Sequence, residues 1–182
     1  MLNSHQILAL QEVKGIGRKT VQKLVRAIDY TPGSLEELFE TLKSVEEEVS
    51  YYSAPSKGEV RDGYESSRQI LSACKKQDIA PIGITNPRYP SRLKKIDDPP
   101  VLLYAKGNTQ SLNGQNMVAV VGTREPSDEG KKAGLKAGRV LAESEVTVVS
   151  GLANGCDESA HVGCLDEDGT GVAVLAHGLG MV

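Results

Sequence analysis

The sequence contains no tryptophan and a single phenylalanine, Phe39. A broad aromatic platform for stacking bases is therefore not expected, although six tyrosines leave some scope. No run of about 18 apolar residues exists, so no membrane span is expected. The opening "MLNSHQILALQEVKG" lacks the basic, apolar, small-residue layout of a secretory signal, which points to the cytosol. Cysteine is sparse. Cys74, Cys156 and Cys164 are an odd set without framework spacing, so a disulfide scaffold is not expected. Cys156, His161 and Cys164 lie close together, but they lack Cys-x-x-Cys spacing and a second ligand pair. They are read as small buried side chains, and no metal or cofactor is expected. An excess of basic charge is also missing. The net charge is −3, so any nucleic-acid binding must rest on local patches.

What is present is a globular composition, 39% hydrophobic and 25% charged over 182 residues. Residues 4–29 read as two short helices around a hairpin, with Val13, Ile16, Val21, Leu24, Val25 and Ile28 at helical spacing. Gly15 and Gly17 flank Ile16 at the turn, among Lys14, Arg18, Lys19, Lys23 and Arg26. This resembles a helix-hairpin-helix motif, whose backbone N–H groups can meet a phosphate. Gly15, Gly17, Arg18 and Lys19 are thus candidate accessory DNA contacts. A solvated basic face or a protein-docking hairpin fits the same residues.

Ser34 should cap the next helix, with Glu37 at the capping-box position. Turn residues cluster near Pro55, which places a boundary between a helical module, 1–55, and a second domain, 56–182. From Glu59 to about Lys76 a long helix is expected, with Val60, Tyr64, Ser67, Leu71 and Cys74 as its stripe. Apolar runs then recur at 79–84, 101–107, 117–121, 146–150 and 171–178, with helical segments between the later ones. Ser127 should cap a helix of about four turns. The alternation predicts an α/β domain: a Rossmann-like parallel sheet with helices on both faces. Its nearly all-apolar strands read as covered on both sides.

In such sheets ligands bind beyond the carboxyl ends of the strands. Three of these ends carry small residues: Gly122-Thr123-Arg124, Gly151 to Gly155, and His177-Gly178 with Gly180. Three such loops on one edge would line one cleft. Gly151 and Gly155 would let main-chain N–H groups converge on an anion, with the Ser150 hydroxyl as a further donor. Arg124 would grip phosphate in a bidentate fork. Asp157 and His161, four apart, share a helix face. They serve either as an acid–base pair or, the preferred reading, as hydrogen-bonded scaffold. No strained-elbow nucleophile, no Gly-x-Gly-x-x-Gly and no phosphate-loop signature occurs, against a hydrolase, ordinary NAD binding or an ATPase.

"YPSRLKKIDDPPVLLYAKGN", "VAVVGTRE", "VVSGLANGCDESAH" and "GVAVLAHGLG" resemble, in order, the motifs of the DprA (Smf) family of DNA-processing proteins. The resemblance runs from about Ile79 to Gly180. It implies an extended Rossmann fold that binds single-stranded DNA without catalysis, protects it during natural transformation, and helps load a RecA-type recombinase. It implies a phosphate pocket at Gly122, Thr123 and Arg124 beside Ser150, Gly151, Ala153 and Gly155, near Gly178, with Asp157 and His161 at the matching Asp and His positions. Cys156 stands where the family has an aliphatic residue. The resemblance also implies a homodimer. The stop at Met181-Val182, short of the family's Tyr-Pro segment, leads one to expect that part of the sheet and much of that dimer surface are missing. Two other readings stand beside it: a nucleotide-binding or nucleotide-processing protein of a related Rossmann-like fold, and a protein-docking module with a vestigial cleft. The Gly-Gly-x-Gly-Thr-x-x-Glu stretch of nucleotide phosphoribohydrolases is not present.

Overall fold

A computed structural model describes residues 1–179. The chain divides into two compact units, Met1–Gly107 and Asn108–Val182.

In the first unit, helix starts are written locally. Asn3 accepts from the Gln6 N–H and Gln6 reaches back to the Asn3 N–H, which opens α1, Ser4–Glu12. Gly17 precedes α2, Arg18–Ala27, with no side-chain cap. Ser34 caps α3, Leu35–Ser44, by accepting from the Glu37 N–H. The Glu37 carboxylate, however, takes the Gly33 N–H and does not close a box on Ser34. Ser56 and Glu59 form a full capping box on α4, Lys57–Lys76. The expected α4 stripe is the inner face: Val60, Ser67 and Cys74 are buried, with Gly63 between them.

β1, Ile79–Gly83, and β2, Leu102–Lys106, pair antiparallel, with Ile79 opposite Lys106. As expected both are strands, and they form a two-stranded ladder of their own, apart from the parallel sheet. The expected boundary near Pro55 falls inside this unit. The reason is packing: α1 lies against both α4 and β1, so hairpin, long helix and strand pair share one core. Leu2, Ile7, Leu10, Leu24, Leu42 and Ile82 are fully buried in it.

The second unit runs β3, Met117–Ala119; α5, Asp128–Glu143; β4, Thr147–Ser150; α6, Cys156–Asp166; β5, Gly171–Ala173. The three strands are parallel in the order β3-β4-β5, the expected Rossmann-like arrangement. Ser127 caps α5 as expected, accepting from the Gly130 N–H. α5 and α6 pack against each other beside this sheet. Both helices also lie against β4. Val118 in β3, and Val121 and Val174 just beyond β3 and β5, are exposed.

α5 and α6 touch backbone to backbone. A β-carbon at Gly138 would lie 2.1 Å from the Ala160 carbonyl oxygen, and one at Gly163 2.1 Å from that of Leu135. Only glycine permits this approach. The core beneath is small, Val148 with Ala160 and Cys164, flanked by Val120, Leu141 and Ala142. No described helix is long and apolar enough to cross a membrane.

Candidate nucleic-acid interface

Because β3 and β4 are parallel, the loops leaving them rise from the same edge. One carboxylate ties them together. Asp157, in the first turn of α6 and buried, accepts from the Gly122 N–H at 3.3 Å and from the Gly151 N–H at 3.0 Å. The Ser150 hydroxyl donates to the Val120 carbonyl at 2.6 Å, and the Cys156 N–H donates to that of Thr123 at 3.1 Å. The Ala153 carbonyl accepts from the Glu158 N–H at 3.0 Å.

The glycines answer to this internal tie. Gly155 has φ +94°, and a β-carbon there would sit 2.5 Å from the Thr123 oxygen. A β-carbon at Gly122 would sit 2.5 Å from that of Cys156. Of the two glycines expected to bring N–H groups to a ligand, Gly151 points its own at Asp157 and Gly155 turns its own toward the Glu158 carboxylate at 3.5 Å, while the Gly122 N–H is also taken by Asp157. The Ser150 proton is likewise engaged. These groups shape the loops, so the expected open nest of donors is replaced by a cross-braced pair of turns.

The cationic group at these turns is Arg124. Its side chain is exposed and has no hydrogen-bond or ion-pair partner among the described residues. It borders a groove of about 720 Å³. Lys131, Leu135, Asn154, Gly155 and Val162 line the groove, together with the acidic Glu125 and Glu158. The concavity thus opens between α5 and α6 as well as along the sheet edge. Lys131 and Leu135 were missed by the sequence reading. Their i, i+4 spacing puts them on one face of α5, but which face turns to the loops depends on the glycine contacts with α6.

The third loop takes no part in that groove. Gly178 is exposed, with nothing near the position its β-carbon would take, and its carbonyl lies 3.2 Å from the His177 Nδ1. Gly180 lies outside the described residues. Asp157 and His161 share a helix face, but the expected bond between them is not formed. Both Asp157 oxygens are taken by the loop N–H groups, while His161 packs against β5, its Nδ1 3.0 Å from where a β-carbon on Gly171 would be. The His161 Nε2 is buried without a hydrogen-bond partner. No three His, Cys, Asp or Glu side chains among the described residues come together as a metal set.

At the helical hairpin, Gly15 turns with φ +89° and Gly17 starts α2. Arg18, expected as a phosphate contact, is ion-paired with Asp98. Gln22 joins them, donating to Asp98 at 2.9 Å and to the Pro99 carbonyl at 2.6 Å. The Gln22 amide first, then the charges of Arg18 and Lys19, hold the Asp98 carboxyl below the usual carboxylate range. Arg18 is therefore bound into the unit's own structure, whereas Lys19 is exposed.

A family model for DNA recombination-mediator protein A matches residues 80–182. The chain belongs to that family. The DNA processing protein DprA of Bacillus subtilis is 34% identical over 125 residues, covering 69% of this chain and 42% of the relative. The DprA of Streptococcus pneumoniae is 42% identical over 103 residues, 57% of this chain and 36% of the relative. The chain thus spans less than half the length of either family member. The crystal structure of the Streptococcus pneumoniae DprA superposes with a TM-score of 0.69 at 27% identity, over 97% of this chain and 59% of that one. The family membership and the parallel α/β unit agree.

Proposed function

We propose that this chain binds single-stranded DNA through the Arg124 groove, as part of a recombination mediator that shelters the strand and passes it to a RecA-type recombinase. The observation that carries the reading is the solvent-facing, unpaired guanidinium of Arg124 at the carboxyl edge of a parallel sheet. A guanidinium offers a planar fork of donors matched to phosphate. Lys131 adds a second cation in the same groove.

The bracing described above supports the reading in a different way from the nest first expected. Asp157 fixes the spacing of the two turns, so Arg124 leaves a rigid base and less of its ordering has to occur on binding. Thr123 stands beside it on the same turn. Gly122, Ser150, Gly151, Ala153, Gly155 and Asp157 act as positioning residues, and His161 fills the space under β5. Glu125 and Glu158 repel phosphate, which disfavours a duplex that would bring a second backbone over the same groove. The role is binding, not turnover.

The test is titration of labelled single-stranded and duplex oligonucleotides at several salt concentrations. Single strands should bind more tightly, with a log–log salt slope of about −0.7 per phosphate neutralised. Arg124→Ala should weaken binding by roughly tenfold or more, the worth of a charged hydrogen bond, and leave the fold intact. Arg124→Lys should restore only part of it. Duplex preference, or binding indifferent to salt, would overturn the reading.

A further inference from the structure

Tyr51 is the most exposed large hydrophobic side chain among the described residues, at 102% of its reference area. Its backbone lies in the left-handed region, with φ 59°. That region is unfavourable for a residue with a bulky side chain. Of the four other non-glycine residues there, Asp78, Glu145 and Asp168 stand just after α4, α5 and α6, where a left-handed residue closes a helix, and Leu152 lies in the Gly151–Gly155 loop of the candidate site. Tyr51 follows no helix of this kind. It tops a turn in which the Tyr52 N–H donates to the Val49 carbonyl at 3.2 Å. A strained backbone holding an aromatic ring wholly in water favours neither folding nor solubility, and such strain clusters at functional positions.

The ring has a cationic neighbour. The Lys23 Nζ lies 5.6 Å from its centroid and donates to the Ser50 carbonyl at 2.8 Å, which fixes the ammonium beside the ring. Lys19, Lys23 and Arg26 recur at i, i+4 and i+7, on the face of α2 opposite the buried Val21 and Leu24. Glu46 is turned toward the backbone, accepting from the Ser53 hydroxyl and the Ala54 N–H at 3.1 Å each. Glu47 and Glu48 are exposed on the approach to the turn and limit the positive field.

We infer that Tyr51 is a stacking post for a base of single-stranded DNA, with the Lys19–Lys23–Arg26 face of α2 taking the adjoining phosphates. The inference rests on the single-strand reading of the Arg124 groove but concerns a separate site, in the Met1–Gly107 unit. The chemistry is that of a strand with accessible bases: one open π-face for the base and a line of cations for its backbone. A duplex, whose bases are already stacked, could use the cations alone.

The test compares two labelled single strands on the full chain, one ordinary and one carrying abasic sites. Tyr51→Ala should weaken binding of the ordinary strand about tenfold, as loss of one stacked base does. Tyr51→Phe should bind like wild type. On the abasic strand, Tyr51→Ala and wild type should be equal. The chain has no tryptophan, so quenching of its tyrosine fluorescence by the ordinary strand should diminish in Tyr51→Phe and Tyr51→Ala alike. Equal affinity of Tyr51→Ala and wild type for the ordinary strand overturns the inference and leaves the ring to a protein partner. Equal losses on both strands overturn stacking in favour of a structural role. Arg124→Ala separates the two sites. If it binds like wild type while Tyr51→Ala does not, the groove reading falls and the stacking post stands. If the wild type binds neither strand, both fall.

Discussion

The unit Met1–Gly107 is built with leucine, isoleucine and valine side chains drawn from four helices and a strand pair. The unit that begins at Asn108 has a core cluster of three small or medium residues, Val148, Ala160 and Cys164, under two helices that meet at glycines. In the first, stability comes from removing large apolar side chains from water, roughly 1.5–3 kcal/mol each when fully buried. In the second it comes from backbone-to-backbone contact, which adds little buried side-chain area but leaves little freedom for sliding. The difference suits what each unit carries. α6 bears Asp157 and α5 begins just beyond Arg124, so a locked helix pair holds the two loops in register. The first unit presents Tyr51 and the basic face of α2 on a conventional core.

The sharpest way to break this comparison is to put side chains where the second unit has none. Gly138→Val must part α5 from α6, because even its β-carbon would lie 2.1 Å from the Ala160 oxygen. A loss above about 4 kcal/mol is expected, in the range reserved for gross misfits. Hydrogen exchange at the β4 and α6 amides reads it. Normal protection there would mean that the helices are not held by backbone contact.

The matching lesion in the first unit is Leu24→Ala. Leu24 is fully buried, and its truncation should cost about 3 kcal/mol through lost transfer energy and a cavity. Denaturant titration, with exchange at the α1 and α2 amides, measures it. A loss no larger than that of an exposed alanine substitution would show that the aliphatic core is loosely packed.

Next in size is Asp157→Asn. An amide keeps one acceptor oxygen but turns an NH₂ group toward one of the two loop N–H donors. About 2 kcal/mol of stability should go, as for a hydrogen bond to a charged group, and single-strand affinity should fall with it. Unchanged affinity would separate the bracing from binding.

This residue also marks how far the sequence could be read. Helix starts, strand positions and the inner stripe of α4 are local, and Ser34, Ser127 and Val60 announced them. The loops Gly122–Arg124 and Gly151–Gly155 announced themselves as strand ends with small residues. What those small residues do was not legible. Asp157 and Gly122 are 35 positions apart, and nothing local says that the N–H turns inward to a carboxylate. Nor could apolar runs at 79–84 and 101–107 declare an antiparallel pairing, since a short apolar run fits either kind of sheet. Arg18 looked free because its partner, Asp98, is 80 positions away.

The smallest expected effect tests the first unit's polar margin. His5 hydrogen-bonds Ser67 at 2.9 Å and lies against the Tyr64 ring, with centroids 4.3 Å apart. Burial, and then the charge of Arg68, lowers its pKa from the ordinary 6.5. A lowered histidine pKa means that the folded state binds its proton less readily than the unfolded chain does. Stability should be level above the unfolded value, fall as the pH drops below 6.5 toward the folded pKa, and level off again beneath it. The slope should be shallow, because the ring is only partly withdrawn from water. His5→Gln, which can keep a bond to Ser67, should remove that slope from the α1 and α4 amides. NMR titration of the wild-type imidazole gives the independent check. A His5 pKa above 6.5 would reverse the sign and require a carboxylate at the ring, which the first unit's contacts do not supply.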